Sequence, residues 1–186
     1  EITTLGDKSR RAPEDLSRSL TYFDGESERM VWFSNDLVAE MAPSDKGRLR
    51  VLQFDSAAEA EPQQQTAVRL WRVRAQHGVD DAAHTMMHDG LLFSPVVHES
   101  PSSSSPRCAL PGGVVATFPS GWDRARIDAW ATARGMSVPE PVVAEANLYL
   151  LASAPGLASI ELANRLRSSG ELVACTPNLW RQASTR

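Results

Sequence analysis

The chain has 186 residues, 42% hydrophobic and 23% charged, with 19 Lys and Arg against 23 Asp and Glu for a net charge of −4. These proportions lie near the globular averages and argue against a disordered, collagen-like or coiled-coil chain. The mild negative charge disfavours non-specific binding to nucleic acid, which needs a basic face. No stretch approaches the roughly 20 apolar residues of a membrane helix.

Residues 1–19 are polar, charged and aperiodic, and read as a flexible arm. Leu20-Thr21-Tyr22-Phe23 and Met30-Val31-Trp32-Phe33 are β-prone runs around the turn pair Asp24-Gly25, which predicts a hairpin. Leu37-Val38-Ala39 suggests a second short strand, 43–47 a turn, and 48–54 a further strand by alternation of Leu49 and Val51. Residues 56–65 read as a loop or weak helix. The run 66–76 fits a strand by Val68 and Leu70 and a helix by spacing, and stays open. A helix is expected over 80–88, stopped by Asp89-Gly90, then an extended run over 91–98. Ser100-Pro-Ser-Ser-Ser-Ser-Pro106 cannot build a core and reads as a linker.

The last third is the most legible. A β run over 113–118 is followed by a helix from Asp123 to Arg134, with Ile127, Trp130 and Ala131 on one face and Gly135 as its cap. Extended chain over 138–146, broken by Pro139 and Pro141, precedes a strand at Leu148–Leu151. A second helix spans 159–169, with Ser159 as N-cap, Ile160, Ala163 and Leu166 on its apolar stripe and Gly170 as its end. Leu172–Cys175 is the last strand. The order β-α-β-β-α-β predicts an α+β, ferredoxin-like open-faced sandwich with two helices on one side of an antiparallel sheet. A β-hairpin-rich extension precedes it. The uncovered sheet face would be a docking surface.

The expected layout is a flexible arm (1–19), a β-rich extension (20–99), a Ser/Pro linker (100–107), the ferredoxin-like domain (108–180) and a tail (181–186). The chain lacks a Gly-x-Ser-x-Gly elbow, a phosphate loop and a His-Glu-x-x-His pair, so no enzyme and no cofactor is expected. His77, His84 and His88 with Asp80, Asp81 and Asp89 are the nearest thing to a zinc set. They read as a polar helix surface, and no metal site is expected. Cys108 and Cys175 are too few for a disulfide scaffold and read as small buried hydrophobes, though their pairing stays open. Four of the five tryptophans read as core. Trp180, past the last strand, would be exposed unless something receives it.

Several of these segments share one resemblance. Ala109-Leu-Pro-Gly-Gly-Val-Val-Ala-Thr-Phe118, Asn147-Leu-Tyr-Leu-Leu151, Glu161-Leu-Ala-Asn-Arg-Leu166 and Leu172-Val-Ala-Cys-Thr-Pro-Asn178, in that order, resemble the propeptides of subtilisin-like serine proteases. The likeness covers about residues 108–180, and the hairpin from Thr21 to Glu40 is similar to an extension of some bacterial members. One departure is Thr176 before Pro177-Asn178, where the family usually carries Glu or another polar residue in an Ala-Glu-Pro-Asn pattern. The resemblance implies a propeptide-like inhibitor and folding chaperone, either cleaved from its protease or standing alone, in a bacterial cytoplasm or secreted. It implies a subtilisin-like protease as partner, with neither nucleic acid nor membrane. The sheet face would dock on the protease. The segment Thr176, Pro177, Asn178, Leu179, Trp180, Arg181, Gln182, Ala183, Ser184, Thr185 and Arg186 would run extended into the substrate cleft. With Arg186 as a true end, that residue would fill the first specificity pocket. The rival expectation is a ferredoxin-like regulatory or protein-interaction module without a protease partner.

Overall fold

A computed structural model describes residues 16–62, 67–74, 79–102 and 104–183. Most of the expected arm, His77, Ser103 and Ser184 to Arg186 lie outside the described residues. The protein is mixed α+β, with two antiparallel sheets and four α-helices among those residues.

The hairpin forms where Asp24-Gly25 places it. Strand β1 (Leu16–Asp24) turns through Gly25, at φ 61°, into β2 (Ser27–Met41). A residue with a Cβ would be strained at that φ. Leu37-Val38-Ala39 is not a separate strand but the second half of β2, beyond a bulge that falls between Phe33 and Val38. The first half of β2 pairs with β1. The second half pairs with β4 (Val68–Arg72) along the same edge, and β5 (Leu92–His98) runs along the other. With β3 (Glu59–Ala60), β6 (Arg107–Ala109) and the C-terminal β11 (Trp180–Arg181), these make a seven-stranded sheet in which six strands run in the order β11-β6-β5-β2-β4-β3 and β1 pairs with β2 off that path.

That sheet is curled. Glu61 follows β3, and Arg107 lies four strand spacings away in β6, about 19 Å on a flat sheet. Their side chains nevertheless meet at 3.6 Å. Arg72 also binds Glu61 and Asp36 on this concave side. The concave face holds Leu37, Ala39, Val68, Leu70, Val96 and Ala109, all buried. The convex face carries two apolar clusters. One packs Val38, Trp71 and Phe93 against α1 (Asp45–Phe54) and α2 (Val79–Met86). The other packs Tyr22, Val31, Phe33, Val97, Cys108 and Leu110 against Ile160.

The strand expected over 48–54 is a helix, α1. Ser44 is its N-cap and accepts from the Gly47 N–H at 3.0 Å, and Asp45 complements the first turn. The alternation of Leu49 and Val51 is accidental, since Val51 is fully buried and Leu49 is 62% exposed. Within the open run over 66–76, Val68–Arg72 is the strand β4, paired with β2 and β3.

The second sheet holds β7 (Val114–Thr117), β8 (Glu140–Val143), β9 (Leu148–Leu151) and β10 (Ala174–Pro177), in the order β10-β7-β9-β8. Helix α3 (Arg124–Ala133) follows β7 and α4 (Leu157–Ser168) follows β9. Alternation along each strand sends Val114, Ala116, Tyr149, Leu151 and Cys175 into one core with Ile127, Trp130, Leu162 and Leu166 of the helices. Phe118 sits at its centre, edge-on to Trp130 at 5.1 Å and to Tyr149 at 5.7 Å. Each large side chain buried here contributes roughly 1.5–3 kcal/mol by area. Asn147 takes the left-handed conformation at φ 51°, and its amide donates to the carbonyls of Pro119 and Trp122, both at 2.9 Å.

Two boundaries move. Helix α4 begins at Leu157 after Gly156, so Ser159 is not its cap but lies buried inside the first turn, donating to the Gly156 carbonyl. The last strand is displaced to Ala174–Pro177, because Gly170 turns at φ 70° and the chain joins β7 only from the Val173 N–H onward.

The Ser/Pro segment 100–107 links β5 to β6 inside the curled sheet, where its serines bond one another. The change of sheet comes later, at Leu110-Pro111-Gly112-Gly113. There Gly112, at φ 98°, passes so close to the Ser153 carbonyl that a Cβ would lie 2.6 Å from it. Asn178, at the return crossing, donates from its side chain to the Gly112 carbonyl and from its N–H to the Gly113 carbonyl. The β1–β2 hairpin lies against the outside of α4. Asn164 donates to the Thr21 carbonyl at 2.8 Å, and Arg167 stacks on Phe23 at 3.9 Å.

Candidate docking face and the C-terminal strand

The residues of the second sheet that point away from its helices form two cross-strand rows. One row is Thr176, Val115, Leu150 and Glu140; the other is Ala174, Thr117, Leu148 and Val143. None of these eight is buried, and Val142 and Val143, at the bulge in β8, are 53% and 44% exposed. Branched apolar side chains on an uncovered sheet face form a patch that association can bury.

The alternatives around this face are closed off. The outer side of α4 is covered by the hairpin, as described. The β10 edge has β1 beside it. The β8 edge carries Pro141, with Pro139 just before it, and a proline N–H is not there to pair with an added strand. What stays open on this sheet is the face away from its helices, apolar at Val115, Leu148, Leu150, Ala174 and Val143.

The residues expected to form a partner-binding tail fall in three places. Thr176 and Pro177 belong to β10, with Thr176 on the open face and Pro177 turned to the helix side. Asn178 binds the crossing glycines. Leu179 packs with the Tyr22–Phe33 cluster. Trp180 and Arg181 form β11, in register with Ala109 and Cys108 of β6, and the Gln182 N–H donates to the Arg107 carbonyl at 2.8 Å. Trp180 is received by the concave cluster of the curled sheet, and Arg181 pairs with Glu99 at 2.7 Å. Ala183 is exposed. The sequence signal for β11 was the unexplained Trp180 itself, an aromatic with no place in a free tail.

The described members of the zinc-like set do not form a metal-holding group. His84 is exposed in α2, whereas His88 lies beyond the end of that helix, so the two do not share a helical face. Among the described residues no group of three His, Cys, Asp or Glu side chains is placed to hold a metal. No described helix is long and apolar enough to cross a membrane. A cleft of about 520 Å³ lies beside α1, lined by Asp45, Arg48, Glu59, Arg69 and Trp71 among others. Behind it the buried Glu40 carboxylate accepts from the Ser44 N–H and from Trp71 Nε1, both at 2.9 Å. The anion position at the start of α1 is thereby filled by the protein's own side chain.

Cys108 and Cys175 are free, buried and in different clusters. Burial pushes the Cys108 thiol up to about 12, with Glu99 adding to the effect, and burial likewise raises Cys175. Neither thiol should react with a thiol reagent at pH 8 in the native protein, while both should react in denaturant. The unfolded chain ionises these thiols first. Stability should therefore fall as pH rises from about 9 toward about 12, which chemical denaturation across that range would measure.

The chain matches no protein-family model, no curated protein and no solved structure.

Proposed function

We propose that this chain is a propeptide-like inhibitor and folding chaperone of a subtilisin-like serine protease, and that its C-terminal unit is ferredoxin-like. The chain order β-α-β-β-α-β and the strand order β10-β7-β9-β8 support the fold reading. The observation that carries the functional reading is the uncovered apolar face built on Val115, Leu148 and Leu150. It lies on a sheet whose other side packs Val114, Ala116, Tyr149 and Leu151 against the two helices.

The mechanism is physical rather than chemical. The open face packs on the protease surface and removes apolar area from water. The chain leaves the second sheet at Pro177, crosses to β6 and continues from Gln182 toward the substrate cleft. Binding the folded protease gives inhibition. Binding the transition state of its folding more tightly than its unfolded chain gives acceleration of folding. A standard interface of about 1,600 Å² is compatible with affinities on the order of nanomolar.

The test is inhibition of a panel of purified subtilisin-like proteases by the full chain. Slow, tight inhibition of at least one member is expected. Rapid degradation without inhibition, or no binding to any member, would count against the reading. Binding of a non-protease partner through Leu148 and Leu150 would instead favour a regulatory interaction module. Removing residues 179–186 is not a clean test of the tail, because it also strips β11 from the curled sheet.

A further inference from the structure

The curled sheet ends at β11, and among the described residues no strand lies outside it. The edge at β11 differs in kind from the edge at β8. Residues 179–183, Leu-Trp-Arg-Gln-Ala, contain no proline, so every one of them keeps its N–H. The Gln182 N–H points at the Arg107 carbonyl of β6. In an antiparallel ladder, alternate residues direct their N–H and C=O groups to the same neighbour. Trp180 and Gln182 therefore face β6, and the backbone N–H and C=O of Arg181 face away from it.

The strand is also held firmly in this extended form. Trp180 is anchored in the concave cluster, Leu179 in the convex one, and Arg181 is tied to Glu99. A segment already extended has lost most of the conformational freedom it would otherwise lose on pairing. Its ordering cost is met by β6 before any partner arrives.

We propose that β11 stays on β6 when the protein binds, and that the outward N–H and C=O of Arg181 pair with an extended strand of the partner, so that the curled sheet continues across the interface. This rests on the protease reading and makes it specific. Residues 180–182 would be paired on two sides, by β6 and by a strand at the rim of the substrate cleft. The N-terminal extension then supplies the sheet on which the cleft-bound segment is mounted.

Two substitutions at one position isolate the backbone group. Arg181→Ala removes the exposed ion pair with Glu99 and keeps the N–H; such surface pairs contribute little. Arg181→Pro removes the ion pair and the outward N–H, and spares the Gln182 bond to β6. Against the panel member most tightly inhibited by the unchanged chain, R181A should be within a few-fold of it. R181P should be weaker than R181A by roughly tenfold, the loss of one main-chain hydrogen bond. Amide hydrogen exchange gives a second readout that needs no substitution. On adding that protease with its serine blocked, the Arg181 amide should become protected, while the Gln182 amide should be protected both before and after. Equal potency of R181P and R181A, or an Arg181 amide unchanged by binding, overturns the proposal and leaves the protease reading standing. Loss of Gln182 protection on binding means that the strand peels off, and also overturns it. Failure of the unchanged chain to inhibit any panel member overturns both.

Discussion

Replacing Leu148 with Asp should weaken protease inhibition by about 100-fold or more while leaving the protein folded. Leu148 sits inside the open face, between Thr117 and Val143 in the row that crosses the sheet. It is not buried in the free protein, so a carboxylate there stays solvated and the fold loses little. Against an apolar protease surface the same carboxylate would be stripped of water without a partner, a cost of several kcal/mol. Each 1.4 kcal/mol is tenfold in affinity. The check is the inhibition constant beside a thermal unfolding midpoint that stays within a few degrees. Undiminished inhibition by the Asp variant would place docking on some other surface.

The second large effect falls on stability. Gly47→Ala should destabilise the protein by roughly 3–5 kcal/mol, lowering its midpoint by about 6–20 °C. A Cβ on Gly47 would lie 1.7 Å from Oε1 of Glu40. The carboxylate cannot move aside cheaply, because Oε1 takes the Ser44 N–H, Oε2 takes Trp71 Nε1, and the side chain is 1% exposed. Displacing it breaks both of those bonds and disturbs its ion pair with Arg69 at 3.8 Å. The double variant Glu40→Ala, Gly47→Ala supplies the control. With the carboxylate gone, the added methyl has room, so the second substitution should cost much less than it does alone. Denaturant unfolding of the four proteins measures this coupling. Strict additivity would mean that the two residues do not meet as described.

The two predictions separate the halves of the molecule. The first concerns a surface that the second sheet leaves open. The second concerns how the curled sheet holds α1 on its convex side. A Gly47→Ala protein that still folds should inhibit normally per folded molecule, since α1 is no part of the proposed docking face.

What could be read from residues alone was local and periodic. Asp24-Gly25 marks its hairpin because few residues but glycine accept the turn's φ. The strand–helix–strand–strand–helix–strand order after residue 113 is legible because Ile127, Trp130 and Ala131, or Ile160, Ala163 and Leu166, recur at helical spacing. The opposite sides of β7 and β9 follow from alternation, and with them the candidate docking face. These signals need no knowledge of distant neighbours.

The rest was decided by contacts between residues far apart in the chain. Arg48 to Phe54 alternates like a strand, but Ser44 and the buried Glu40 satisfy the first N–H groups of a helix there, and Gly47 alone leaves room for that carboxylate. Residues 100–107 look like a linker by composition, yet they close a turn between paired strands, because β6 finds its place on β5. The return of Trp180 and Arg181 to β6 has no local signature beyond an aromatic in need of cover. Chain order and the open face are thus properties of the sequence, since periodicity is written residue by residue. The curl of the first sheet, the clasp of the hairpin on α4 and the mounting of the C-terminal strand exist only in the tertiary structure, because each depends on backbone groups and side chains that meet across long stretches of chain.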